Sequence, residues 1–165
     1  MKKSLNTATP RGFTLIEMLV TITIIVILAG LSLGGFNYVT SKQANSKAQI
    51  QISLLSNALE EYKLDNGSFP TSAGGTTILY TALYKEGVDN PDTNEIYLSE
   101  LDPNNDRQGW MSSNSGTVTI IDPWGEEFIY RDGSNANARN PDFDLLSKGK
   151  DGIEGTADDI TNFSN

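Results

Sequence analysis

The stretch GFTLIEMLVTITIIVILAG, from Gly12 to Gly30, limits what this chain can be more than any other, because it is apolar almost throughout and yet keeps one acid, Glu17, near its start. No other charge occurs between Arg11 and Lys42. At roughly 1.5 Å per helical residue, Phe13 to Phe36 is long enough to cross a hydrocarbon core of about 30 Å. One spanning helix is expected. Lys2, Lys3 and Arg11 precede it, so the positive-inside rule leaves the amino terminus in the cytoplasm and sends the remainder across the membrane. A cleaved secretory signal would have a shorter apolar region and a small-residue cleavage site, whereas helix-compatible sequence continues directly here. A core helix is disfavoured because too little apolar sequence remains to bury it. A charge at membrane depth costs on the order of 2.5–3.5 kcal/mol, so Glu17 needs a partner.

The 165 residues amount to one domain, of which the apolar segment takes a share that cannot also build a soluble core. Net charge is -9, and setting aside the three cations Lys2, Lys3 and Arg11 leaves -12 from Phe13 onward. That acidity argues against nucleic acid as a partner, since phosphate binding needs a basic patch. Neither Cys nor His occurs, which excludes thiol nucleophiles, histidine-based triads, zinc sites built from those residues, and disulfides. Any hydrolytic chemistry would fall to carboxylate pairs such as Asp158 with Asp159, proposed by adjacency alone. A small exported domain must then fasten its loops in some other way, and a metal held by oxygen ligands is one.

Beyond Tyr38 the chain turns polar without a breaker, and Ala44, Ala48, Ile52, Leu55, Leu59 and Tyr62 recur at helical spacing. One apolar stripe follows, with Lys42, Lys47, Gln51, Glu60, Glu61 and Lys63 mostly off it. In LDNGSFP, Gly67 permits a left-handed C-terminal residue and Pro70 follows, so the helix is expected from about Phe13 to Asp65. Residues 84–115 read as loops rich in Pro, Asn and Asp; within them DPNNDRQG reads as a turn, since Arg107 stands where a calcium loop needs glycine. TVTIIDPWGEEFIYRD reads as strand, turn and strand with Trp124 as a packing anchor, and FDLLS as a third strand. The end, LLSKGKDGIEGTADDITNF, gathers Asp151, Glu154, Asp158 and Asp159 among glycines. Such a loop is either solvated acid or a set of hard oxygen ligands for calcium, and the residues alone leave both open.

Lys2-Lys3 and then RGFTLIEMLV, with an aromatic residue after Gly12 and a glutamate five places on, resembles the class III leader of type IV pilins and type II secretion pseudopilins. The resemblance implies cleavage between Gly12 and Phe13 by a prepilin peptidase, methylation of the new terminus, and pairing of Glu17 with the Phe13 amine of a neighbouring subunit. It divides the chain into a leader (1–12), a membrane and polymerisation half of the helix (13–38) and a periplasmic globular domain (39–165). Family members usually carry a proline near Gly34, where this chain has Gly34-Gly35. LDNGSFPT, ALYKEG, the Asp-Pro-Trp-Gly turn, and Ser-x-Gly-x-Asp-Gly followed by two aspartates and Ile are similar to segments of the major pseudopilins. They imply an α+β, pilin-like fold: a long N-terminal helix packed on a small antiparallel sheet, with a C-terminal calcium loop. On that match Asp151, Asp158 and Asp159 supply side chains to Ca2+, and carbonyls near Lys148 and Ile153 complete the shell; Lys148 replaces the family's usual leucine.

The implied function is structural: a non-enzymatic subunit held in the inner membrane and assembled into a periplasmic pseudopilus that drives export of folded proteins. The implied partners are further copies of itself in a helical filament, minor pseudopilins, the peptidase and the inner-membrane assembly platform. A type IV pilin for adhesion, motility or DNA uptake is the alternative of the same architecture; it would be marked by a terminal disulfide loop or a basic exposed patch, and the sequence has neither.

Overall fold

The computed structural model describes residues 12–106 and 108–163, and the side chains of these except for 32–38. The expected leader therefore lies outside the described residues apart from Gly12. Contacts divide the chain into a unit ending at Ser41 and a compact unit from Lys42 onward.

Helix α1 spans Leu15–Asn66 and runs without interruption through Gly34-Gly35. In its first half every described side chain up to Leu31 is exposed, including Ile25 and Val26 at 64% each. None of the described residues covers that surface. Among the described residues no helix is long and apolar enough to cross a membrane. The expected span continues to Phe36, through the stretch whose side chains are outside the described set.

In the second unit the apolar stripe faces inward as its period requires: Ala48, Ile52, Leu55 and Leu59 are buried, and Ala44 and Tyr62 half-buried at its ends. Gln51 departs from the expectation. It is fully buried, reaching the carbonyl of Ile121 at 3.4 Å through Nε2, so a polar residue of the stripe's flank belongs to the core. The helix stops where a left-handed residue is available: Gly67 has φ 79° and donates its N–H to the Lys63 carbonyl at 2.8 Å.

After this stop come α2 (Thr76–Tyr80), a π-helical turn (Thr81–Lys85) and α3 (Glu86–Asp89), whose Leu79 and Leu83 enter the core. Strands β1 (Met111–Asn114) and β2 (Thr117–Ile120) form an antiparallel hairpin with Asn114 opposite Thr117. Its two-residue loop, Ser115 and Gly116, has φ 51° and 86°, the pair of positive values that a tight hairpin of natural twist demands. Strands β3 (Ile129–Asp132), β4 (Phe143–Ser147) and β5 (Ile160–Thr161) form a second antiparallel sheet in that order.

The fold is thus α+β as expected, but the single small sheet is two sheets. The segments on either side of Asp-Pro-Trp-Gly pair only next to the turn, where Ile121 bridges Glu127 and the Phe128 N–H reaches the Ile120 carbonyl at 3.2 Å; the ladder does not extend along β2 and β3. The reason is local. The Asp122 carboxylate takes the N–H groups of Trp124 (2.9 Å) and Glu126 (3.0 Å), and its own N–H goes to the Glu126 carbonyl, closing a compact turn. Pro123 has no N–H for a ladder. β2 pairs instead with β1 across the shorter loop.

The packing anchor also moves. Trp124 is half-buried, whereas Trp110, in a segment read as loop, is fully buried beside Leu98, Leu101, Ile120 and Phe128. Asp106 sets this up by accepting the N–H of Trp110 at 2.8 Å and of Met111 at 3.1 Å. DPNNDRQG is a turn: Asn105 N–H reaches the Asp102 carbonyl at 3.1 Å, and both Asp106 oxygens serve the backbone.

The same device recurs wherever a loop must be held without a disulfide. Buried Asp144 accepts the N–H of Arg139 and Asn140, each at 2.8 Å. Asp132 accepts the N–H of Ser72 at 2.6 Å and of Ser134 at 2.9 Å, tying the segment after α1 to β3. The Ser134 hydroxyl, with help from those N–H groups, holds the Asp132 carboxyl well below the usual carboxylate range against the opposing push of burial. A depressed folded-state pKa stabilises above the unfolded value and loses that effect as pH falls through the folded one. Asp132→Asn is therefore expected to lower the unfolding free energy of the Lys42–Asn165 unit by on the order of 2 kcal/mol at neutral pH. The gap should narrow below about pH 4. Urea titrations at two pH values measure it, and a gap independent of pH would contradict the assignment.

Candidate functional site

The first site is the start of α1. Thr14 caps the helix: its hydroxyl accepts the Glu17 N–H at 3.3 Å, and the Glu17 carboxylate accepts the N–H and the hydroxyl of Thr14, both at 2.8 Å. This reciprocal arrangement is a capping box, and TLIE carries its Ser/Thr-x-x-Glu pattern in the sequence. Within a single chain Glu17 thus has a partner, though not the amine that the resemblance implies. Phe13 is 78% exposed, and a Cβ added at Gly12 would meet nothing within 4 Å. Packing among the described residues does not require a glycine there.

The second site is the acidic loop between β4 and β5. Asp158 Oδ2 accepts the N–H of Lys150 at 2.7 Å and of Asp151 at 3.1 Å, while Oδ1 receives the Thr156 hydroxyl at 2.7 Å. That hydroxyl first, and then the N–H groups, hold the Asp158 carboxyl below its ordinary value. Gly149, with φ 65°, makes the fold of the loop possible: a Cβ there would lie 2.4 Å from the Asp158 carbonyl oxygen and 2.7 Å from Oδ2. Asp151 Oδ1 accepts the Ile153 N–H at 2.8 Å, and Asp159 Oδ2 the Gly155 N–H at 2.7 Å.

Three of the expected ligand groups do converge. The Thr156 hydroxyl lies 2.7 Å from Asp158 Oδ1, 3.1 Å from the Ile153 carbonyl and 3.3 Å from Asp151 Oδ1. One hydroxyl has one hydrogen to give, so three acceptors are gathered around a single donor. Thr156 was not singled out from the sequence; its place two residues before Asp158 is the available signal. The three carboxylates themselves are not drawn into one cluster, and among the described residues no group of three or more acids stands close enough to hold a metal ion. Each is engaged instead by nearby backbone. Asp159 Oδ1, however, is buried with no hydrogen-bond partner. The oxygen-only donor set and this orphaned carboxylate oxygen suit a hard cation.

The remaining charges have other tasks. Arg131 Nη2 lies 2.8 Å from both oxygens of Glu154, and the Lys148 ammonium pairs with Glu126 at 3.0 Å. Buried Ser147 donates its hydroxyl to Asp122 at 2.5 Å and accepts the Gly149 N–H at 3.1 Å, joining the Asp-Pro-Trp-Gly turn to the acidic loop.

A helix whose described apolar side chains from Phe13 to Leu31 are exposed, with a small α+β body packed on its later residues, suits a subunit that packs against others. The sequence matches the family described as type II secretion system, protein G, over residues 37–164, and the prokaryotic N-terminal methylation motif over residues 9–33. It is 36% identical to the type II secretion system core protein G of Escherichia coli K12, over 93% of this chain and 90% of that one. With the core protein G of Pseudomonas aeruginosa the identity is 33%, over 93% and 95%. The crystal structure of the major pseudopilin from the type 2 secretion system of enterohaemorrhagic Escherichia coli aligns with a TM-score of 0.48 at 25% identity, over 74% of this chain and 85% of that one. This chain belongs to the type II secretion system protein G family. It is accordingly a structural pseudopilus subunit and not an enzyme, and the type IV pilin alternative falls away.

Proposed function

We propose that this pseudopilus subunit is cut between Gly12 and Phe13 on the cytoplasmic face of the inner membrane, held there by one helix, and then drawn into a filament in which Glu17 pairs with the Phe13 amine of a neighbour. The observation that carries this reading is the uncovered apolar surface from Phe13 to Leu31, which lipid or adjoining helices must cover in water. The domain after Ser41 then lies in the periplasm. A prepilin peptidase, minor pseudopilins and an assembly platform are the partners that such processing and polymerisation require.

Gly12 fits the role of a cleavage-site residue, since its small size answers to nothing among the described residues. Mass spectrometry of protein from its native membrane is expected to find a chain beginning at Phe13 with a methylated amine. Gly12→Val should leave the full-length precursor. Assembled material that retains Met1 would sink the processing step.

The same reading assigns Ca2+ to the acidic loop, with side chains from Asp151, Asp158 and Asp159 and carbonyls of Lys148 and Ile153. The orphaned Asp159 oxygen and the acceptors crowded on Thr156 support it. A bound cation would take the place of the disulfides that the sequence lacks.

A further inference from the structure

The acidic loop rests on a buried carboxylate that is not one of its expected ligands. Asp122 and the Ser147 it holds are 1% and 0% exposed, whereas Asp151 and Glu154 lie at the surface. The two oxygens of Asp122 have separate tasks. Oδ1 takes both N–H groups of the turn, those of Trp124 and Glu126, while Oδ2 takes the Ser147 hydroxyl at 2.5 Å. An asparagine could hold the same turn through its one oxygen, but its amide nitrogen accepts nothing from Ser147. What a carboxylate adds at this position is therefore the bond to β4 and to the loop that follows it.

Ser147 Oγ in turn accepts the Gly149 N–H at 3.1 Å. That N–H and the Lys148 carbonyl are opposite ends of one planar peptide group, so holding the first aims the second. The backbone at Gly149 also stands against Asp158, close enough that a Cβ would lie 2.7 Å from Oδ2, and the next two N–H groups go to that same oxygen. A salt bridge of 3.0 Å between Lys148 and Glu126 joins the turn and the loop as well, but it acts at the end of a long side chain rather than on the backbone.

We infer that Asp122, acting through Ser147, is the positioning residue of the acidic loop: it sets the plane of the Lys148–Gly149 peptide, and with it the direction of the Lys148 carbonyl and the seat of Asp158. This rests on the reading of the loop as a calcium site, to which both of those groups are assigned. The Asp-Pro-Trp-Gly turn is then more than a chain reversal, since its first residue presets two ligands of a loop far along the sequence. Groups that orient the ligands of a metal are worth about 10–100-fold in affinity.

The test titrates the full-length chain in detergent with calcium by calorimetry, at a temperature where each variant is folded. Asp122→Asn, which keeps the oxygen that holds the turn, and Ser147→Ala are each expected to weaken binding by about tenfold or more. Because they act along one path, the two together should weaken it no more than the stronger alone. Ile52→Val trims the core on α1, where Ile52 is buried, and should lower the melt in chelator while leaving the dissociation constant unchanged. Unaltered affinity in Asp122→Asn would overturn the proposal, as would an equal loss in Ile52→Val; where Ser147→Ala fails to fold, Asp122→Asn decides. A second measurement needs no metal. In chelator, amide exchange at Lys150 and Asp151, whose N–H groups go to Asp158, should quicken in Asp122→Asn and not in Ile52→Val. Exchange unchanged in Asp122→Asn would overturn the positioning. Quickened exchange in an unaltered chain background that binds no calcium would instead uphold the positioning of the loop and count against the calcium reading.

Discussion

Glu17→Val is expected to leave the subunit in the membrane and abolish the filament. Removing a carboxylate from an apolar helix relieves a cost on the order of 2.5–3.5 kcal/mol, so insertion should be unchanged or improved. What is lost locally is the glutamate's half of the capping box with Thr14, whose hydroxyl still accepts the N–H of residue 17. Helix caps are worth about 1 kcal/mol, too little to unravel a helix that spans Leu15–Asn66. Loss of filaments would then trace to a missing contact between subunits. Glu17→Gln sharpens this, because an amide oxygen can still cap the helix while carrying no charge for an amine. It too should fail to assemble. Membrane fractionation with electron microscopy of sheared filaments reads both outcomes, and a Val variant that polymerises normally would end the pairing explanation.

Calcium is expected to raise the melting temperature of the Lys42–Asn165 unit well above its value in chelator, and magnesium to raise it little. A ligand that binds only the folded state stabilises by about 2.7 kcal/mol at a hundredfold excess over its dissociation constant. For a domain of this size that corresponds to roughly 10 °C. Magnesium demands a small octahedral shell and gives up its waters reluctantly, which a loose set of carbonyls and carboxylates does not offer. Asp159→Ala should remove most of the rise. Its Oδ2 holds only the Gly155 N–H, and its Oδ1 is buried without a partner, so the melt in chelator should stay nearly unchanged or rise slightly. Equal melts with and without calcium in the unaltered unit would return the loop to the reading of plain solvated acid.

Periodicity made the inner face of α1 legible, because four buried positions at helical spacing have no other explanation. Its end was legible in Gly67 and Pro70. Gln51 was not, since a polar residue beside a stripe is buried only when a neighbouring segment, here Ile121, comes to meet it. The two sheets were hidden for a similar reason. β5 has two residues, and β1 is rich in serine; both exist through their ladder partners rather than through propensity. Trp124 drew attention because it sits in a recognisable turn, while Trp110 enters the core through the Asp106 bonds to its backbone. In the acidic loop the residue types were readable from composition. Which acid faces which donor was not, because Glu154 is taken by Arg131 and Thr156 enters only when the chain folds back from Gly149.

The Thr14–Glu17 cap has a bearing on the subunit before it joins a filament. A carboxylate that already receives two hydrogen bonds from its own chain is not a bare ion, and on the proposed membrane-held reading a waiting subunit need not clump to hide it. Joining a filament, on the proposed pairing, exchanges one set of donors for a stronger one. The driving force for that exchange is the difference between two satisfied states. It is therefore smaller than the cost of a bare carboxylate in lipid, and the Thr14 cap competes with the pairing for the same carboxylate.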